Sequence, residues 1–333
     1  MSKHHIGILF SALLSACVSQ DYGKLSKLPD QASVPAEYRE EVAFVKDVRK
    51  FGIEQLGLYR NTQQYTTFSE TDGQAQVMYR LFVAKPTVLP DTWEEASQYF
   101  WSDTAFRDNV GAMYFTSFED TLEDELKYYQ KKGYDVHARN VISYNLTNSE
   151  KGSSITPNFF KDSKAWQAQT IIHEICHDSV EEWIGDDFPE ELNEPFCSLV
   201  GRAGAVEYFK MKEGVYSEDY TSALQNFSGQ LDYSRKSNDF YVKLQQLYNS
   251  GKPLMQKMEE RQIIFVDIKR TLNYDANNAR LWDEHSYVKY YPAMIQLYQQ
   301  KNQDVRAMLE ETKVNPKKML KDIDAVVAAE KIR

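Results

Sequence analysis

The run Thr170-Ile-Ile-His173-Glu174-Ile175-Cys176-His177 constrains this chain more than any other segment. Its two histidines stand four residues apart. On a helix that spacing puts both imidazoles on one face, one turn from each other. Ile171, Ile172 and Ile175 form an apolar stripe beside them, so other elements have to cover this helix. The predicted helix spans 163–184. Two ring nitrogens so placed can share one tetrahedral ion, and Zn2+ suits them. Glu174 follows the first histidine and points alongside it, not at the same ion. It can reach a water held by the metal, whose pKa falls to about 7, and pass the proton on to a leaving amine. The expectation is one Zn2+ per chain and hydrolysis of a peptide bond, with Glu174 as general base. A surface helix with two solvated histidines is the plain alternative.

Such a site needs a third protein ligand. Asp178, Glu181, Glu182, Asp186, Asp187, Glu190, Glu191 and Glu194 follow the motif. The first three sit on the motif helix or just past it. Glu190 and Glu191 fall in the first turn of the next helix, where acidic residues suit the helix dipole. Glu194 is one turn further in and is followed by Phe196, Cys197, Leu199 and Val200. A carboxylate in an apolar stretch needs a partner, so the expected metal ligands are His173, His177 and Glu194. Pro195, directly after Glu194, is expected to kink or restart that helix.

The rest of the chain supplies a frame for this site. Of its 333 residues, 42% are hydrophobic and 13% aromatic, enough for a substantial core. The net charge of −10 argues against nucleic acid as a partner. Strands are predicted at 74–85, ending at Pro86, and at 134–144. A helix is predicted at 119–132, stopped by Gly133. Beyond the motif the periodicity is helical over 189–212, 217–248, 253–273, 276–300 and 303–331. The expected fold class is α+β and mostly helical, with a small sheet near the site and a helical C-terminal half.

Residues 1–16 carry Lys3, an apolar run from Ile6 to Leu14, and then Ser15-Ala16 before Cys17. The run is too short to span a bilayer and has the order of an export signal. Leu14-Ser-Ala-Cys17 resembles a bacterial lipoprotein signal, with lipid carried on Cys17. Each buried CH2 of an acyl chain contributes ~0.8 kcal/mol, so several chains anchor a protein to a membrane. By resemblance to Gram-negative lipoproteins, Val18 in place of Asp does not look like an inner-membrane retention signal, and the expected address is the outer membrane, facing the periplasm. Residues 17–35 read as a polar tether. Residues 36–333 then form the metallopeptidase domain, with the sheet and metal site in 36–215 and the helical part in 216–333.

The two-helix pattern resembles the gluzincins, in which a His-Glu-x-x-His helix is followed by a glutamate ligand on a second helix. That resemblance implies a zincin-like core. Ser198 stands where some gluzincins have an aspartate that orients the first histidine; Asp178 or a backbone carbonyl is expected to serve instead. A wider resemblance rests on Ile171-Ile-His-Glu-Ile-Cys-His-Asp and on Leu192-Asn-Glu-Pro-Phe-Cys-Ser-Leu-Val-Gly-Arg-Ala-Gly. Val48-Arg49 with Gly57-Leu58, Gly133 to Val136, Ser143-Tyr144 and Asn277 to Leu281 extend it over roughly 38–310. These segments are similar to a bacterial family of predicted zinc aminopeptidases, many of them lipoproteins. The resemblance implies ligation by His173, His177 and Glu194, with Glu174 as base. That family tends to have alanine where this chain has Cys176 and Cys197. Both should face the crossing of the two ligand helices, and a disulfide between them is expected in an oxidising compartment.

Hydrolysis also needs a donor for the developing oxyanion. Tyr144, His285, Tyr287 and Arg280 are the candidates. Tyr144, at the end of the strand before the motif, is placed as a catalytic residue. His137 is read as structural. A zinc endopeptidase of the cell envelope, and a lipoprotein whose metal is a structural staple, are the alternative functions.

Overall fold

The computed structural model describes residues 25–27, 34–69, 78–90, 95, 112–140 and 152–331. Five strands are described: β1 (Leu25–Lys27), β2 (Thr67–Ser69), β3 (Met78–Ala84), β4 (Ala112–Phe118) and β5 (Asp135–Asn140). Ten α-helices with defined bounds lie among the described residues. The first are α1 (Arg39–Phe51), α2 (Glu119–Lys131), α3 (Lys164–Trp183) and α4 (Glu190–Lys212). The remainder are α5 (Glu218–Asn249), α6 (Leu254–Leu272), α7 (Asn278–Val288), α8 (Tyr291–Gln300), α9 (Val305–Val314) and α10 (Pro316–Lys331). The chain is mostly helical with small sheets, an α+β arrangement.

One sheet pairs β1 with β2; the other has the order β4-β3-β5, all antiparallel. β3 is the central strand and is buried on both faces. Leu81 and Val83 pack with Tyr129 and Val136 beneath α2, while Phe82 and Ala84 turn to α5–α7. That is the period of two expected of a strand. β5 leaves Asp135, His137 and Arg139 on its helix-facing side. Arg261 on α6 donates to Asp135, and the backbone N–H of Asn278 on α7 donates to it at 2.9 Å.

The main core joins α1, α3, α4, α8, α9 and α10. Val45, Ile171, Ile172, Phe196, Leu199, Met294 and Met308 are all fully buried in it. The helical part beyond residue 216 is therefore no separate body; its last three helices share the core of the ligand helices. Ser163 caps α3 by accepting from the N–H of Trp166, and Asn277 caps α7 by accepting from Arg280.

Several boundaries differ from expectation. Residues 276–300 form two helices, with Pro292 in the first turn of α8; a proline has no N–H to continue the preceding ladder. The stretch 303–331 is likewise divided, with Pro316 opening α10. Leu25–Lys27, inside the expected tether, pairs with Thr67–Ser69. β4 was not expected at all. Conversely, Pro195 does not restart α4, which runs unbroken past it. Gly133 ends α2 at φ +79, a left-handed position that glycine adopts without strain.

Candidate metal centre

α3 and α4 cross closely because glycine lines the contact. A Cβ on Gly201 would lie 2.6 Å from the carbonyl oxygen of Gln169 and 3.0 Å from His173 Cβ. A Cβ on Gly204 would lie 2.8 Å from Leu56 Cδ1 and 3.1 Å from Ile172 Cγ2. Hydrogen in place of these methyls lets the backbone of α4 approach the histidine helix. Cys176 and Cys197, both fully buried, fill the same interface.

That approach brings Glu194 to the two histidines. Its Oε2 lies 3.2 Å from His173 Nε2 and 3.6 Å from His177 Nε2, and the two Nε2 atoms are 2.9 Å apart. Among the described residues, His173, His177 and Glu194 form one group whose donor atoms lie within 4.8 Å of one another and could hold a metal ion. The separations bear on the fit. A tetrahedral ion with bonds of 2.0–2.1 Å sets its ligand atoms about 3.3 Å apart. The three observed distances fall within about half an ångström of that spacing. Glu194 Oε2 is also buried and faces these two ring nitrogens without a well-formed hydrogen bond to either, a costly state for a carboxylate oxygen that a cation would relieve.

Asn193 orients the second histidine. Its Oδ1 lies 3.0 Å from His177 Nδ1. In the neutral ring this contact puts the proton on Nδ1 and leaves the lone pair of Nε2 facing Glu194. The Cys197 thiol also donates to Asn193 Oδ1, at 3.7 Å. Burial opposes a charge on His177, but Glu194 outweighs it and raises the ring to about 10. Burial likewise opposes the charge on Glu194, yet His177 and His173 hold it well below its ordinary value.

Asp178 does not orient a ligand histidine. It accepts from Thr62 Oγ1 at 2.5 Å and Gln64 Nε2 at 2.9 Å, and so ties α3 to the loop after α1. The expected Cys176–Cys197 disulfide is not formed: both are free thiols. Burial first, then the hydrogen bond with Cys176, keeps the Cys197 thiol well above its ordinary pKa, so it packs as a small apolar group. Glu174 is half-buried on α3, next to His173.

The oxyanion candidates separate. His285 stacks on Tyr241 with ring centroids 3.6 Å apart, and burial lowers it to about 3. Arg280 pairs with Glu284 at 3.1 Å and covers the Tyr274 ring. Both are occupied in the α5–α7 packing. Tyr287 instead feels Glu194: burial first, then that carboxylate, push its phenol up to about 12. Arg139 on β5 donates to Tyr287 Oη at 3.3 Å. Tyr144 and Cys17 lie outside the described residues. Asn193 and Arg139 were missed in the sequence. Asn193 could have been found from its place beside Glu194; nothing local marks Arg139.

A helical chain whose described residues bring together one half-buried His-His-Glu group on two crossed helices is a candidate metalloprotein. Its sequence matches the family model described as "Putative aminopeptidase" over residues 20–321, so the chain belongs to that family. No curated protein and no solved structure matches it.

Proposed function

We propose that this protein is a zinc-dependent peptidase with a gluzincin-type site, acting as an aminopeptidase. The carrying observation is the convergence of His173, His177 and Glu194 beside Glu174, in a chain of the family described as "Putative aminopeptidase". Two histidines and a glutamate are a donor set that zinc enzymes use with the fourth position open. A bound ion supplies a Lewis acid that polarises a carbonyl and makes water a better nucleophile at neutral pH. The chain's own groups do the rest. Glu174 takes the proton of the attacking water and delivers it to the leaving amine. Asn193 holds His177 in the tautomer that presents Nε2. The proposed address is the cell envelope, through lipid on Cys17; no helix among the described residues is long and apolar enough to cross a membrane.

The test is metal analysis of the purified protein with cleavage of a mixed peptide library, free and N-acetylated. One zinc per chain and cleavage of the free peptides alone are expected. Equal cleavage of both sets would make the enzyme an endopeptidase. Glu174→Gln should keep the metal and lose about 10²–10⁴-fold in turnover. A protein that holds zinc but cleaves nothing would reduce the site to a structural staple.

A further inference from the structure

A second polar set lies where β5 meets α7, and α7 runs beside the ligand helix: Tyr290, just past its end, donates to Glu191 Oε1 on α4 at 3.4 Å, three residues before Glu194. Asp283 on α7 is almost fully buried and stands 3.3 Å from Arg139 Nη1 and 3.4 Å from His137 Nε2. Arg139 Nη2 donates to Tyr287 Oη at 3.3 Å, and the guanidinium lies 5.3 Å from the centre of that ring. Asp283 and Tyr287 are four apart on α7, so one helix face presents both. Burial opposes the charge on Arg139, but Tyr287, Asp283 and Glu194 together outweigh it. Arg139 and Tyr287 are thus both within electrostatic reach of the ligand carboxylate.

The hydrogen-bond direction gives this set its meaning. A guanidinium has donors only, so Tyr287 Oη is the acceptor in its bond with Arg139. Its own O–H must point elsewhere, and among the described residues the bond from Arg139 is the one hydrogen bond this hydroxyl makes. A phenol that is only packing would do as well as phenylalanine. A phenol fixed by a guanidinium, itself fixed by a buried carboxylate, is a preorganised donor in search of an acceptor. We propose that Tyr287 is a catalytic residue whose O–H donates to the carbonyl oxygen of the scissile amide, with Arg139 and Asp283 as its positioning residues. As the water oxygen bonds to the carbonyl carbon, the C=O π electrons move onto oxygen, and the Tyr287 hydrogen bond strengthens with that charge. No proton leaves Tyr287. When the C–N bond breaks, the π bond re-forms and the amine departs with the proton carried by Glu174.

This inference rests on the peptidase reading, and the experiment separates the two. The full chain, its Tyr287→Phe variant and Glu174→Gln are compared on one library peptide that the wild type cleaves. Losing one such donor costs about 10²–10³-fold in kcat. Tyr287→Phe is expected to show that loss with KM within about threefold and unchanged zinc content. A phosphinic peptide, whose tetrahedral phosphorus replaces the scissile amide, should bind Tyr287→Phe more weakly by a comparable factor in calorimetry. The uncleaved peptide should bind Glu174→Gln and the Tyr287→Phe/Glu174→Gln double variant alike. If Tyr287→Phe proves unfolded, Arg139→Lys takes its place. That variant keeps the donor but loosens its aim, and should lose about 10- to 100-fold in kcat with KM held, more being lost in Arg139→Ala. Wild-type kcat and phosphinate affinity in a folded, zinc-loaded Tyr287→Phe would overturn the inference and leave the peptidase standing. A zinc-loaded wild type without activity would overturn both.

Discussion

The crossing of α3 with α4, which carries Glu194, and the flank where β5 meets α7, whose Arg139 and Tyr287 feel that carboxylate, are built differently. The crossing is apolar and tight. Gly201, Gly204, Cys176 and Cys197 fill it without space for a methyl group more, and the ligands are placed by how near two backbones come. The flank is a relay of charge: Asp283, Arg139 and Tyr287, held at 3.3 Å at each link. Packing tolerates little change because interiors are already dense. A relay of ion pairs and hydrogen bonds can be altered one member at a time, and it steers a group without fixing the fold. The expected division is that damage to the crossing costs metal and stability, whereas damage to the flank costs rate.

The sharpest break in that division is Gly201→Ala. Alanine in a helix interior ordinarily gains up to about 1 kcal/mol over glycine. Here the new Cβ meets the backbone oxygen of Gln169 at 2.6 Å, and backbone cannot swing aside as a side-chain end can. Overpacking of this kind costs about 1–3 kcal/mol, so the net effect is destabilising. The variant should unfold at lower temperature and lose its metal, since Glu194 moves off the histidines. Asp283→Asn, on the flank, should keep its full metal content. Metal analysis beside thermal unfolding checks both; a Gly201→Ala protein as stable and as metal-rich as the wild type would defeat the packing account.

How much of this was legible in the sequence follows from the same contrast. The four-residue spacing of His173 and His177 names a helix face, and the apolar stretch that follows Glu194 marks it for a partner; local pattern carries both. The helix stops at Gly133 and the strand ending before Pro86 are legible for the same reason. Arg139 and Asp283 meet only through the tertiary fold, across 144 residues of chain, so no window of sequence joins them. The breaks before Pro292 and Pro316 were hidden because the apolar period runs on through both. The expected role of Asp178 failed because a carboxylate one residue past a ligand looks close in sequence yet turns to Thr62 and Gln64. The disulfide failed differently: the two cysteines do meet, but as free thiols packed in the crossing.

Asn193→Ala sharpens the comparison from within the crossing, because it removes a hydrogen bond and leaves the packing nearly intact. Groups that orient a ligand histidine typically contribute 10- to 100-fold in metal affinity. The variant should lose about that much, read by competition with a chelator, while its melting temperature in the metal-free state shifts little. An affinity equal to the wild type's would mean that packing alone orients His177.

The smallest effect expected is a slope with pH, and it tells the two regions apart without any mutation in the crossing. In the metal-free protein Glu194 overcomes burial to raise His177 from 6.5 to about 10. A raised histidine contributes stability that is fully present below about 6.5 and is lost as pH climbs through about 10. Glu194, held well below 4.5, contributes stability above about 4.5 that is lost as pH falls through its lowered value. A metal ion needs the lone pair that this proton occupies. Binding between about 6.5 and 10 should therefore release one proton, and apparent affinity should rise about tenfold per pH unit there before flattening. Titrations in buffers of different ionisation heat would count the proton directly. Asp283→Asn should leave the slope unchanged, because the charges acting on His177 come from Glu194 and Glu174 rather than from the flank. A flat affinity between pH 7 and 9 would show that His177 is already deprotonated when the ion arrives.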